Sequence, residues 1–262
     1  MIGATNRREP DAVILAAGFG TRLGTLTAQR PKCLLEVAGR PILARTLDSL
    51  VSAGVRDAHL VIGHLGDQLR AFATSWSNRL RLTFTENSRA AATGTAYSLA
   101  LGLSRVDAER DVLVIEADVV FADDALQRLL SADAADVTLI APFGPYITGS
   151  AVTCDGDGRV SDWLHATHQE SRFRRDLAHK TVNLTRLGTS TAQTLALVLD
   201  RCVAEKESAP LEYAMRTLVR DCGARITAID VGDAPWFEVD TEEDLRIANS
   251  IFSPAYGSGA QH

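Results

Sequence analysis

No apolar run in this chain approaches the roughly 20 residues a membrane-spanning helix requires. The opening stretch, MIGATNRREPD, is polar and has no apolar centre, so no secretory signal is expected there. Cysteine is scarce. Cys33, Cys154, Cys202 and Cys222 lie far apart, with no C-x-x-C pair and no Cys/His spacing suited to zinc. Reduced thiols of a cytoplasmic protein, most of them core fillers, are the expected state. Positive charge is also short: 27 Lys and Arg against 33 Asp and Glu give a net charge of −6. Phosphate backbones select basic surfaces, so a nucleic-acid partner is disfavoured. What remains is ordinary soluble composition, 46% apolar and 23% charged over 262 residues, enough for one well-buried core.

Short β-branched runs alternate with helix-like runs through the first half. Asp11–Ala17, Ala58–Ile62, Leu80–Thr85, Asp111–Glu116 and Val137–Ala141 read as strands. Pro41–Ala53, Gly66–Ala73, Thr95–Leu103 (with Thr93 as its N-cap) and Asp123–Ser131 read as helices. This alternation predicts an α/β fold: a doubly wound, mainly parallel mixed sheet flanked by helices. After Pro142 a hairpin is expected, Ser150–Cys154 and Arg159–Leu164, turning on positive-φ glycines in Asp155–Gly158. A strand at Thr181–Leu184, helices near Thr189–Ala204 and Pro210–Cys222, strands Ile226–Val231 and Trp236–Val239, and a helix Thr241–Ile251 complete a small C-terminal β-rich and helical elaboration. One domain over 11–252 is expected, with an NTP-binding half (11–141) and an acceptor-binding half (142–252). Residues 1–10 are expected to be flexible and 253–262 disordered.

The first strand runs into Ala16-Ala17-Gly18-Phe19-Gly20-Thr21-Arg22, and Pro31-Lys32 follows. Small residues let backbone N–H groups approach phosphate oxygens and form an anion-binding concavity. Arg22 adds a planar fork and Lys32 a mobile point charge. A dinucleotide loop would need a third glycine where Leu23 stands, and an acid ending the second strand near Ile62. A Walker loop would need G-K-[ST], which is missing. A simple tight turn explains the glycines but not Arg22 and Lys32.

The segment resembles the signature of the sugar-nucleotide-type nucleotidyltransferases, (L)AAGxGTR(L) followed by PK. The resemblance implies the nucleotide-diphospho-sugar transferase fold through about Ile251. It also implies a loop of Ala16, Ala17, Gly18, Gly20, Thr21 and Arg22 around the NTP triphosphate, with Lys32 and Arg22 as catalytic groups at the phosphates. Asp118 follows the fourth strand, at the carboxyl ends where ligands of open α/β sheets collect. Asp240 precedes the last helix, where it or Thr241 could instead serve as a cap while Glu242, Glu243 and Asp244 favour the dipole. The resemblance makes Asp118 and Asp240 the ligands of Mg²⁺, which takes few protein carboxylates and completes its shell with phosphate and water. An acceptor already ionised at pH 7 needs no general base, so none of the six histidines is given that role; His59 and His64 are expected to be structural.

Glu116-Ala-Asp-Val-Val-Phe121, Lys180-Thr-Val-Asn-Leu184 and Trp236-Phe-Glu-Val-Asp240 resemble the phosphocholine and phosphonate cytidylyltransferase branch. That implies CTP as donor, release of pyrophosphate, and an acceptor site near Lys180 and Asn183. Glu86, Thr93 and Gly94 belong to a loop expected to close over the base. The basic stretch 165–180 carries Arg172, Arg174 and Arg175 ahead of Lys180, with His165, His168 and His179 among them. Either it is a solvated loop, or it binds an anionic acceptor such as a phosphonate bearing a carboxylate. The low aromatic content, 6%, weighs against a choline cage. The expected partners are CTP and a small anionic phosphonate or phosphomonoester, with no nucleic acid and no membrane; a homodimer is compatible with this. Inositol-phosphate, phosphocholine or hexose-1-phosphate transfer stands as an alternative on the same fold, and a non-catalytic nucleotide-sensing subunit as one of a different class.

Overall fold

The computed structural model describes residues 9–144, 147–166 and 174–253. The expected flexible start and disordered tail lie almost wholly outside these residues, and so do Arg172 and His168. In chain order the first half contains β1 (Asp11–Ala16), the two-residue strands β2 (Glu36–Val37) and β3 (Arg40–Pro41), α1 (Ile42–Ser52), β4 (Asp57–Ile62), α2 (Gly66–Ala73), β5 (Arg81–Glu86), α3 (Thr95–Leu103), β6 (Val112–Glu116), β7 (Val119–Phe121), α4 (Asp123–Ser131) and β8 (Val137–Pro142). The second half contains the hairpin β9 (Ala151–Cys154) and β10 (Val160–Leu164), then β11 (His179–Leu187), α5 (Thr189–Glu205), α6 (Leu211–Arg220), β12 (Thr227–Asp230), β13 (Trp236–Glu238) and α7 (Glu242–Phe252).

β1 shows why the fold has two faces. Its Ala12, Ile14 and Ala16 enter one core with Leu43 and Leu47 of α1, Leu69 of α2 and Leu126 of α4. Its Val13 and Leu15 enter the other with Leu99 of α3, Leu195 of α5 and Leu218 of α6. Alternate side chains of a strand point to opposite faces, so an uninterrupted apolar strand must be covered on both. The sheet runs β10-β9-β11-β6-β1-β4-β5, with β8 beside β11 and β12 beside β8. β4, β5 and β6 extend β1 in parallel, whereas β11 is antiparallel to both β6 and β8. The chain leaves β1 toward β4 and β5 and then returns to β6 on the other side. The crevice at the carboxyl ends of β1 and β6 is therefore the topological switch point.

Three local expectations need correction. Gly94, not Thr93, is the N-cap of α3, because the Thr93 hydroxyl donates instead to Arg89 O at 3.0 Å. In the β9–β10 turn only Gly158 takes a left-handed φ (+75°). β11 is also longer than the four residues read from sequence. Against β8 its register slips, so that Thr181 pairs with Ile140 and Thr185 with Thr138. The extra residues include Asn183, at φ +60°. A bulge of this kind breaks the alternation from which a strand is read.

The N-terminal edge of the sheet holds a buried ion network far from the switch point. Asp11 is buried, pairs with Arg110, and lies 3.5 Å from His59 Nε2; Arg110 also donates to Asp57 at 2.7 Å. Burial pushes the Asp11 carboxyl up, but the neighbouring His59 ring and the hydrogen bond from Arg110 outweigh it and hold it below the ordinary carboxylate range. A depressed folded pKa contributes stability above the unfolded value, about 3.9, and that contribution is lost as pH falls. Arg110→Met should therefore cost about 3–5 kcal/mol at neutral pH, because it strands a buried charge. The gap to wild type should narrow below about pH 4 as Asp11 protonates. Urea unfolding at both pH values measures this, and a pH-independent gap would contradict it.

Candidate active site

The glycine loop leaves β1 at the switch point. Ala16, Ala17 and Gly18 line an open cleft of about 510 Å³ with Lys32, Thr95, Ser98, Glu116 and Asp118. Gly20 has φ +63°, which strains any other residue, and a Cβ there would crowd Lys32 Cβ and Thr27 Cγ2 at 3.1 Å. Thr21 and Arg22 open the 3-10 segment Thr21–Thr27, which is kinked at Gly24 (φ +56°). The turn after β4 supports the loop from behind. A Cβ on Gly63 would lie 2.7 Å from Ala17 O, His64 N donates to that oxygen at 3.3 Å, and the His64 ring stacks on Phe19 at 4.5 Å.

Lys32 stands at the centre. Its Nζ donates to Asp118 Oδ2 at 2.8 Å and to Asp240 Oδ1 at 2.6 Å. Arg22 Nη2 is 2.8 Å from the same Asp240 oxygen. Two residues so distant in sequence meet because β13 pairs antiparallel with β7, setting Glu238 opposite Val119, and Val239 N donates to Asp118 O at 2.9 Å. Capping of α7 falls to Thr241 and Asp244, which form a reciprocal capping box, so the Asp240 side chain is released for Lys32 and Arg22. Burial lowers the Lys32 ammonium, but Asp118 and Asp240 win and hold it above its ordinary value, so it stays charged. Burial raises Asp240, while Lys32 and Arg22 bring it below its ordinary value. Cys33, next along, is pushed up to about 12 by burial and is a core thiol rather than a nucleophile.

Glu238 joins this pair, and nothing in the sequence reading gave it a part. Oxygens of Asp118, Glu238 and Asp240 lie within 4.8 Å of one another. Asp118 Oδ1 is buried and accepts no hydrogen bond among the described residues. An orphaned acceptor among three hard oxygen donors is the chemistry that suits Mg²⁺.

The residues expected to meet the acceptor do not form one basic patch among the described residues. Lys180 has 1% side-chain exposure, and its Nζ is 2.9 Å from Glu238 Oε2 and donates to Thr181 O. It is a buried cation paired within the fold rather than the exposed end of a basic run. Arg174 is exposed and paired with Asp176, and Arg175 lies over the Phe143 ring at 5.3 Å. The patch is not assembled among the described residues, because each cation already has a local partner. Asn183 does reach the site: its Nδ2 donates to Glu238 Oε1 at 3.2 Å. Glu116 is held well above its ordinary value by burial and then by repulsion from Asp118, Glu212 and Glu238. Lys180→Met should destabilise the fold by about 3–5 kcal/mol by stranding Glu238, whereas Arg174→Gln with Arg175→Gln should leave the melting temperature within error. A thermal melt of each decides between a buried pair and a surface run.

On the base side, Glu86 is exposed, 3.9 Å from Arg70. Gly94 is wedged against the chain at 207–209: its N–H donates to Glu207 O at 2.8 Å, and a Cβ would sit 2.0 Å from Ala209 O. Thr93 accepts from Asn87 Nδ2 at 2.9 Å. Asn87, unnoticed in the sequence, is buried and ties this loop to Ser98 of α3 at 3.1 Å.

The family model described as MobA-like NTP transferase domain matches residues 12–225. The chain belongs to that family. This NTP transferase domain is 36% identical over 248 residues to the CMP-5'-(3-aminopropyl)phosphonate synthase of Streptomyces rubellomurinus, covering 93% of this chain and 39% of that protein. It is 32% identical over 129 residues to the 2-aminoethylphosphonate cytidylyltransferase of Lancefieldella rimae, covering 47% of this chain and 48% of that protein. The chain thus spans about two-fifths of the length of the Streptomyces rubellomurinus protein, and the match to the Lancefieldella rimae protein covers about half of each. Among solved structures it resembles the inositol-1-phosphate CTP transferase of T. maritima, with a TM-score of 0.75, 19% identity and coverage of 93% and 96%. The CTP:phosphocholine cytidylyltransferase of Streptococcus pneumoniae gives 0.72, 21% identity and coverage of 93% and 99%. At such identities these likenesses show the fold, and the fold is that of the nucleotide-diphospho-sugar transferases, as expected. No helix among the described residues is long and apolar enough to cross a membrane.

Proposed function

We propose that this NTP transferase domain moves CMP from CTP to a small phosphonate-type acceptor and releases pyrophosphate, with Mg²⁺ as cofactor. One observation carries the reading: Lys32 spans Asp118 and Asp240 at 2.8 and 2.6 Å directly beside the glycine loop, with Arg22 on the same carboxylate. The relatives whose names include cytidylyltransferase or CMP-phosphonate synthase support the donor and the acceptor class.

Backbone N–H groups of Gly18 and Gly20 and the exposed Arg22 guanidinium hold the triphosphate. Lys32, permanently protonated, turns from its carboxylates to the α-phosphate and the attacking oxygen and stabilises charge as it develops there. Asp118 and Asp240, with Glu238 beside them, would hold Mg²⁺, which when bound neutralises phosphate charge and the departing pyrophosphate. No side chain has to remove a proton, because the phosphonate oxygen is already ionised. The loop from Asn87 to Gly94 screens the base. A silent sensor built on this fold would have no use for Lys32, Asp118 and Asp240 clustered together. Pyrophosphate release with each of four NTPs against phosphonates, phosphocholine, inositol phosphate and hexose 1-phosphate tests the reading. CTP with a phosphonate should exceed every other combination, and preference for another NTP or for a sugar phosphate would sink it.

A further inference from the structure

His64, in the turn that leaves β4, meets the glycine loop at its entry, its apex and its exit. At the entry its backbone N–H donates to Ala17 O. At the apex its ring lies on Phe19, between the two glycines, with the planes only 24° from parallel. At the exit its Nε2 lies 3.3 Å from Thr27 O. A carbonyl can only accept, so Nε2 is the donor in that contact. Thr27 carries the support onward. It is buried, and its hydroxyl donates to Gly20 O at 2.9 Å, which draws the end of the loop back onto its second glycine. Gly63 lets the turn come this close, and it brings the base side in as well: a Cβ there would also meet Ala90 Cβ at 3.0 Å.

This bracing preserves a row of donors. Among the described residues, no backbone N–H from Gly18 to Arg22 donates to a backbone carbonyl. Such a row gathers an anion only while the loop keeps its curvature. Glycine gives a segment the most freedom to lose it. Phe19 is 36% exposed and joins none of the apolar cores among the described residues, so its ring contact with His64 is what fixes the apex. Stacked rings at this separation attract beyond the area they bury.

We propose that His64 is a positioning residue for the triphosphate. By bracing Ala17, Phe19 and Thr27 it sets the open N–H row before the nucleotide arrives, and binding then costs less ordering of the loop. The inference rests on the reading of this site as a nucleotidyltransferase centre. His64 acts through the loop and moves no proton, so its contribution falls on affinity for the phosphates and not on the bond change.

Calorimetry in Mg²⁺ with CTP, inorganic tripolyphosphate and cytidine separates bracing from general damage, because only the first two carry the phosphates. His64→Ala should weaken CTP and tripolyphosphate by about tenfold and leave cytidine unchanged. His64→Phe, which keeps a ring against Phe19, should recover most of that loss. Phe19→Ala, at an exposed position outside the cores, should weaken the same two probes. Adding it to His64→Ala should cost little more, since the two rings act as one unit. In turnover the loss should appear in KM for CTP and not in kcat. Wild-type tripolyphosphate affinity in His64→Ala overturns the bracing role, and so does an equal loss for cytidine. The transfer reading fails separately: if tripolyphosphate affinity follows these variants but no NTP and acceptor release pyrophosphate, the transfer reading falls and the bracing of an anion loop stands.

Discussion

Asp118→Asn and Asp240→Asn should each lower Mg²⁺-dependent pyrophosphate release by roughly a hundredfold or more, since each removes charge stabilisation at the reacting phosphate. Both residues lie at loop positions where asparagine keeps the shape, and the capping box of α7 is made by Thr241 and Asp244. Melting temperatures should therefore stay close to wild type. The loss should be largest in kcat/KM and should not be recovered by saturating nucleotide. Turnover within a few-fold of wild type in either variant would remove that carboxylate from the chemistry. A matching Glu238→Gln variant calibrates the third member of the cluster, whose primary tie is to Lys180.

Lys32→Ala should be as damaging, and in a more particular way. A cation acting on the α-phosphate matters most as charge builds there, so kcat should fall by at least a hundredfold with a smaller change in KM for CTP. Arg22, with 65% of its side chain exposed and holding a single carboxylate, should instead affect nucleotide affinity. Lys32 has a second measurable duty. With its ammonium gone, Asp118 loses its cation and Asp240 keeps only Arg22, so the melting temperature of Lys32→Ala should climb with Mg²⁺ more steeply than that of wild type. A change confined to KM, with no added Mg²⁺ dependence of the melt, would contradict both duties.

Much of this arrangement is legible in the chain. Helices Gly66–Ala73, Thr95–Leu103 and Asp123–Ser131 begin and end where the apolar period does. Gly18, Gly20, Arg22 and Lys32 could be picked out together because a glycine loop after a strand is a local object, written in one continuous segment. The ion cluster is not. Glu238 reads as one more strand residue until the β7–β13 pairing brings it to Asp118, and β7 itself, three residues long, is too short to carry a period. Lys180 looked like the end of a basic run because its true partner lies in a distant strand. The acids Glu116 and Glu212 are invisible as a pair for the same reason. Long-range pairing decides which charges are satisfied, and composition over a window cannot.

The slip in β11 divides labour within a single strand. Up to Lys180 it is bonded to β9, and from Leu184 onward to β6, with left-handed Asn183 between them. The β9–β10 hairpin and β6, which leads into Asp118, therefore attach to separate stretches of β11, parted by Thr181, Val182 and Asn183. Two ladders with separate anchorage on one strand leave the registration of β6 to β1 independent of the hairpin.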